Sequence, residues 1–164
     1  MKSNIVLIGM PGAGKSTVGV VLAKRLGMSF VDSDLVIQDT YGKLLHELIT
    51  EHGVEGFWEI ENNVNASLQN EKTVIATGGS AVYGHQAMEH LAQNGVIVYL
   101  SLPYEEVAER LGDLNARGVT LRAGQDLYAL YEERAPLYEK YADITIACEG
   151  KMLREIVREI AEKL

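Results

Sequence analysis

Near the start of the chain, Ile5-Val6-Leu7-Ile8 runs without a break into Gly9-Met10-Pro11-Gly12-Ala13-Gly14-Lys15-Ser16. The continuous apolar run has the pattern of a strand buried on both faces, not the alternation of a half-exposed one. Val18, Val21, Leu22 and Leu26 follow at helical spacing, and Gly27 suits the position just past a helix end. A strand covered on both faces that turns through glycines into a helix points to a parallel sheet with helices on both sides. Ligands on such sheets bind at the carboxyl ends of the strands. The turn itself fits the phosphate-binding pattern G-x-x-x-x-G-K-[ST]. Its glycines let backbone N–H groups face phosphate oxygens, and the helix starting near Lys15 adds its positive end. The expected nucleotide-binding residues are Gly12, Ala13, Gly14, Lys15, Ser16 and Thr17. Lys15 should reach the β- and γ-phosphates and Ser16 should ligate Mg²⁺. Without nucleotide, Lys15 is expected to face solvent.

Further along, a second strand is expected at Ser29–Val31. Helical spacing appears at Leu44, Leu45, Leu48 and Ile49, and again at Phe57, Ile60, Val64 and Leu68. Val74-Ile75-Ala76 reads as a third strand ending at Gly78-Gly79, and a helix through Ala87, Met88 and Leu91 closes at Gly95. Val96–Leu100 is the fourth strand, and Pro103 opens a helix to Leu111. Another helix carries Leu127, Leu130, Tyr131 and Arg134. Ile144–Ala147 is a fifth strand, and Leu153, Ile156, Val157 and Ile160 mark a closing helix. Strands alternating with helices give the expected fold: a three-layer α/β/α domain with a parallel sheet. Weak periodicity with Gly and Arg residues over 112–125 suggests a mobile excursion.

At 164 residues the chain is expected to be one domain, 1–164, with a core that needs no disulfide or metal staple. Fifteen Lys+Arg against 23 Asp+Glu leave a net charge of −8. That sign argues against a broad basic face for nucleic acid or an anionic membrane. The lone Cys148 excludes an intramolecular disulfide framework and any Cys₂ or Cys₄ zinc site. No apolar run approaches the ~18 residues of a membrane span, and the first strand is too short for a signal segment. A cytoplasmic monomer acting on a small molecule is the expectation.

A phosphate loop alone leaves open a GTPase switch, a motor ATPase or a small-molecule kinase. No N-K-x-D element is present, and Val96–Leu100 ends in Ser101 rather than in the aspartate of ATPase machines. Carboxylates cluster instead at Asp32 and Asp34, two apart after the second strand and so projecting to one side. One could bind the metal through water while the other meets an acceptor hydroxyl; the alternative is a helix N-cap with a solvated neighbour. His46, His52, His85 and His90 lack the i,i+4 spacing of a helical metal pair and read as surface or core residues. Cys148 reads as a small hydrophobe, Tyr128, Tyr131, Tyr138 and Tyr141 as packing, and Glu132-Glu133 as a solvated face. Arg122 either joins the lid chemistry or is simply exposed.

Gly9–Thr17, Asp32-Ser33-Asp34, Gly56-Phe57, Thr77-Gly78-Gly79, Arg110, Arg117 and Arg134-Ala135-Pro136-Leu137-Tyr138 together resemble the shikimate kinase family, within the nucleoside-monophosphate-kinase-like fold. The resemblance covers nearly the whole chain. It implies a five-stranded parallel sheet, a lid near 112–125, and ATP- and Mg²⁺-dependent phosphorylation of shikimate. By the same resemblance Lys15, Asp34 and Arg117 are catalytic, with Asp34 accepting the proton of the attacking hydroxyl. Asp32 holds Mg²⁺ through water beside Ser16, Arg110 stacks on adenine, and Asp34, Gly78, Gly79 and Arg134 bind substrate, Arg134 through its carboxylate. Three positions depart from the family: Ser80 replaces a third glycine, Gly118 follows Arg117 where proline is usual, and Trp58 stands at a substrate-binding arginine.

Trp58 cannot form a bidentate salt bridge and offers an apolar face and one N–H donor. The glutamate paired with that arginine in the family matches Glu61, three residues on along the same helix. A carboxylate stranded in a closing pocket calls for compensation by Arg134, by Arg117 or by an amine on the substrate. Alternatively, Trp58 fills space and Glu61 faces water. The functional alternatives are a kinase for another hydroxy acid or hydroxyamino acid, and a weakly active nucleotide-binding regulator.

Overall fold

The computed structural model describes residues 2–111 and 119–164. Five strands, β1 (Asn4–Ile8), β2 (Ser29–Asp32), β3 (Thr73–Ala76), β4 (Gly95–Ser101) and β5 (Ile144–Ala147), form one sheet in the order β2-β3-β1-β4-β5. Every pairing is parallel, with Ile5 opposite Val74 on one side and Val96 on the other. Seven helices are described: α1 (Lys15–Leu26), α2 (Ser33–Tyr41), α3 (Leu45–Ala66), α4 (His85–Asn94), α5 (Tyr104–Leu111), α6 (Leu127–Tyr141) and α7 (Leu153–Lys163). The three-layer expectation therefore holds. Among the described residues no helix is long and apolar enough to cross a membrane.

β1 is the centre of the sheet, and every residue in it is buried. Val6, Leu7 and Ile8 have no measurable exposure, and they pack with Leu22, Val74, Val98 and Ile160 in the main core. A smaller apolar cluster of Ile37, Leu48, Phe57, Ile60 and Val64 joins α2 to α3. That cluster holds α2, which carries Asp34, against α3.

Three local features depart from the sequence expectation. α2 was not anticipated: only Val36 and Ile37 of its nine residues meet apolar neighbours, while Leu35 is exposed, so its periodic signal is weak. The two helical patterns from Leu44 to Leu68 are the two segments of α3 on either side of Gly53, whose φ 75° and ψ 174° are not helical. Leu68 lies beyond the end of that helix. A single 3₁₀ turn at Ala81–Tyr83 follows the third strand and was also missed. Of the proposed lid, residues 112–118, with Arg117 and Gly118, lie outside the described residues.

Gly9 ends β1 with φ 149°, and a Cβ placed there would meet the Leu100 carbonyl oxygen at 2.8 Å. Positive φ and backbone contact both exclude a side chain. Gly9→Ala should therefore lower the unfolding free energy by roughly 1–3 kcal/mol, measured by denaturant melting.

Candidate active site

The turn after β1 delivers the glycines of the phosphate loop. Gly12 and Gly14 take φ of 81° and 94°, and Gly14 caps α1 without any side-chain bond. The first N–H groups of α1 thus lack intrahelical partners and point to the loop's concave side. Within the loop, Ala13 N–H donates to the Met10 carbonyl at 3.1 Å. Lys15 does not face solvent as expected. It is buried, and Nζ donates to the Gly9 and Met10 carbonyls at 2.6 and 3.0 Å. Burial lowers its pKa to about 8, opposed chiefly by the Asp34 charge.

Asp32 caps α2, as one of its two readings expects, and also reaches Ser16. Its Oδ1 accepts the Asp34 N–H at 3.0 Å and caps α2, while Oδ2 accepts the Ser16 hydroxyl at 2.7 Å. Ser16 and Asp32 are thereby joined as one oxygen pair, a hard donor set that suits Mg²⁺. Asp34 follows in the first turn of α2, half-buried rather than solvated. Burial first, and the neighbouring Asp32 charge second, raise its pKa to about 6.

A cavity of about 290 Å³ runs from this loop to the end of β3, lined by Lys15, Asp34, Glu61, Gly78, Gly79 and Arg134 among others. A Cβ at Gly78 would lie 2.6 Å from Asp34 Oδ1 and 2.7 Å from Glu61 Oε2, so two carboxylates close over its backbone. At Gly79 the equivalent atom would meet Pro11 Cδ at 2.6 Å and Arg134 NH1 at 3.0 Å. These glycines bring α2, α3, α6 and the phosphate loop together at one point. Arg110 sits at the loop's rim, donating to the Gly12 carbonyl at 3.2 Å and pairing with Glu106.

Glu61 is 2% exposed, so it does not face bulk water. Among the described residues the Ser80 hydroxyl donates to its Oε1 at 2.6 Å, and the nearby Arg134 charge offsets the carboxylate as one expectation had it, though without a direct bond. Oε2 has no partner among the described residues. Burial pushes its pKa up to about 7, with the Asp34 charge adding and the Ser80 bond and Arg134 opposing. Trp58 does not line the main cavity. Its ring stacks on Tyr83 with centroids 3.9 Å apart, and Nε1 donates to Thr120 Oγ1 at 3.1 Å. Arg122 lies 4.9 Å over the same ring and pairs with Glu133 at 2.7 Å. Glu133 also accepts bonds from Tyr83 and Gln125, so it is an anchor rather than part of a solvated face. Tyr83 and Thr120 carry no sequence signal because their neighbours come from elements remote in sequence, and Ser80 shows only as a replaced family glycine.

A parallel sheet with a glycine loop at the end of its central strand, and an acceptor cavity beside that loop, defines a P-loop kinase. Residues 11–164 match the family model described as shikimate kinase. A shikimate kinase from Persephonella marina is 35% identical over 162 residues, covering 98% of both chains. One from Thermobifida fusca is 38% identical over 161 residues, covering 97% of this chain and 93% of the relative. The structure of shikimate kinase from Acinetobacter baumannii in complex with shikimate superposes with a TM-score of 0.88 at 33% identity, covering 99% of this chain and 93% of that one. The chain belongs to the shikimate kinase family.

The buried acids make stability depend on pH. Native Asp34 and Glu61 keep protons up to about pH 6 and 7, whereas the unfolded chain releases them near 4. Between those values the native state binds more protons, so their contribution to stability falls as pH rises. Glu61→Gln should therefore gain melting temperature relative to the parent between pH 4 and 7 without ligand. A difference independent of pH would contradict the burial of an ionising group there. Lys15 acts in the opposite sense, adding stability as pH rises from about 8 toward 10.5.

Proposed function

We propose that this chain transfers the γ-phosphoryl group of ATP to a hydroxyl of shikimate, giving shikimate 3-phosphate. The observation that carries the proposal is the cavity joining Lys15 and the phosphate loop to Asp34 and Arg134. One end thus offers cationic and N–H donors for phosphates, and the other a carboxylate and a guanidinium for a hydroxy acid. The family relationship supports shikimate as that acid. It also supports the finer roles, with Arg110 against adenine, Arg117 over the transferring phosphoryl, and a monomer working in the cytoplasm.

Phosphate oxygens entering the loop replace the Gly9 and Met10 carbonyls as partners of Lys15 Nζ, which then meets the charge that develops on transfer. Ser16 and Asp32 would hold Mg²⁺, which neutralises phosphate charge when bound. Asp34 orients the acceptor hydroxyl and takes its proton as the oxygen–phosphorus bond forms and the bond to the β-phosphate oxygen breaks. Its raised pKa matches a base that ionises just below neutrality. Arg134 binds the carboxylate, and the fixed backbone at Gly78 and Gly79 lets the ring approach closely.

The test is ADP release coupled to added shikimate. Saturable, shikimate-dependent release is expected; release that ignores the acceptor, or none with shikimate, would overturn the assignment and favour another hydroxy acid or a regulator. Asp34→Asn should lower kcat on the order of 10²–10⁴-fold while the ATP KM stays within a few-fold. Lys15→Met should lower kcat on the order of 10²–10³-fold. A pH profile rising through about 6 in the parent, and flattened in Asp34→Asn, would identify the base.

A further inference from the structure

Arg134 is 1% exposed, yet among the described residues it forms no ion pair within 4 Å. Its NH2 donates to Thr120 Oγ1 at 2.7 Å and to the Thr120 carbonyl at 3.4 Å, and its guanidinium lies 5.4 Å over the Tyr83 ring. NH1 is directed at Gly79, on the cavity wall. A buried cation held only by neutral groups is poised for an incoming anion.

Thr120 holds that cation and is held in turn by Trp58. Its hydroxyl has two acceptor positions and one proton. Arg134 NH2 and Trp58 Nε1 are both groups that only donate, and both point at this oxygen. With its acceptor positions filled by two N–H groups, the hydroxyl can engage further only by donating its proton. Thr120 itself is 2% exposed, lines the cavity beside Gly79 and Arg134, and donates to no other described residue. Stacking on Tyr83 fixes the indole, so the polarity of the hydroxyl is set by the protein before any ligand arrives.

We propose that Thr120 is a substrate-binding residue: its hydroxyl, forced by Trp58 and Arg134 to act as donor, bonds the substrate carboxylate alongside the Arg134 guanidinium. The carboxylate site of this chain is then one guanidinium plus one neutral hydroxyl, with Trp58 as the positioning residue behind the hydroxyl. This inference rests on the substrate reading above and names the carboxylate contact within it.

The experiment measures shikimate affinity by calorimetry, with KM and kcat from the coupled assay, in the parent, Thr120→Val, Thr120→Ser and Trp58→Phe. Thr120→Val keeps the shape and deletes the donor; shikimate Kd and KM should rise at least tenfold with the ATP KM within twofold. Thr120→Ser should restore binding to within threefold of the parent. Trp58→Phe keeps the stack but frees one acceptor position on Thr120, and should raise the shikimate KM threefold or more at unchanged melting temperature. If Thr120→Val fails to fold, Trp58→Phe and Thr120→Ser decide. Thr120→Val binding shikimate within twofold of the parent, Thr120→Ser as weak as Thr120→Val, or Trp58→Phe with an unchanged shikimate KM would each overturn the proposal. A parent that neither binds nor phosphorylates shikimate would instead overturn the substrate assignment, and this inference with it.

Discussion

The burial of β1 on both faces constrains everything else in the molecule. A strand with no exposed side cannot present chemistry along its length, so polar function is confined to its ends. At the carboxyl end, the chain must turn from a fully apolar environment into a helix within six residues. Gly9 makes this possible by passing against the Leu100 carbonyl, where a side chain would not fit. The phosphate loop is thus also the device that lets the central strand leave the core.

That geometry gathers four charged side chains, Lys15, Asp34, Glu61 and Arg134, into one cavity without a direct ion pair among them. Burying charges in this way costs stability, and the protein softens the cost through neutral partners. Lys15 uses loop carbonyls, Glu61 uses Ser80, and Arg134 uses Thr120 and the Tyr83 ring. For Lys15 and Arg134 this leaves the charge free to exchange a weak neutral partner for an anionic group on a ligand. Ligand binding and stability are coupled through the same atoms.

The parallel sheet, the loop and Asp32 with Asp34 were legible because each is a local pattern: an apolar run, glycines at fixed offsets, two carboxylates two residues apart. α2 was not legible, since its stability comes from the Asp32 cap and from two apolar contacts with α3 rather than from a periodic face. Lys15 was expected in solvent because sequence shows the charge but not the two carbonyls that the loop turns toward it. Thr120 carries no pattern at all. Its role arises where residues 62 and 14 positions away converge on one oxygen.

The departures at Trp58 and Ser80 are best understood as one change. By the family resemblance a tryptophan stands where an arginine would pair with Glu61, whose buried carboxylate then needs a donor. A serine in place of a glycine supplies one, at 2.6 Å from Oε1. A single neutral hydroxyl offsets only part of what a guanidinium would, which is why burial still lifts the Glu61 pKa to about 7. The indole gives its N–H to Thr120 and its face to Tyr83 and Arg122. Trp58 thus braces the Thr120 oxygen to which the Arg134 guanidinium also donates.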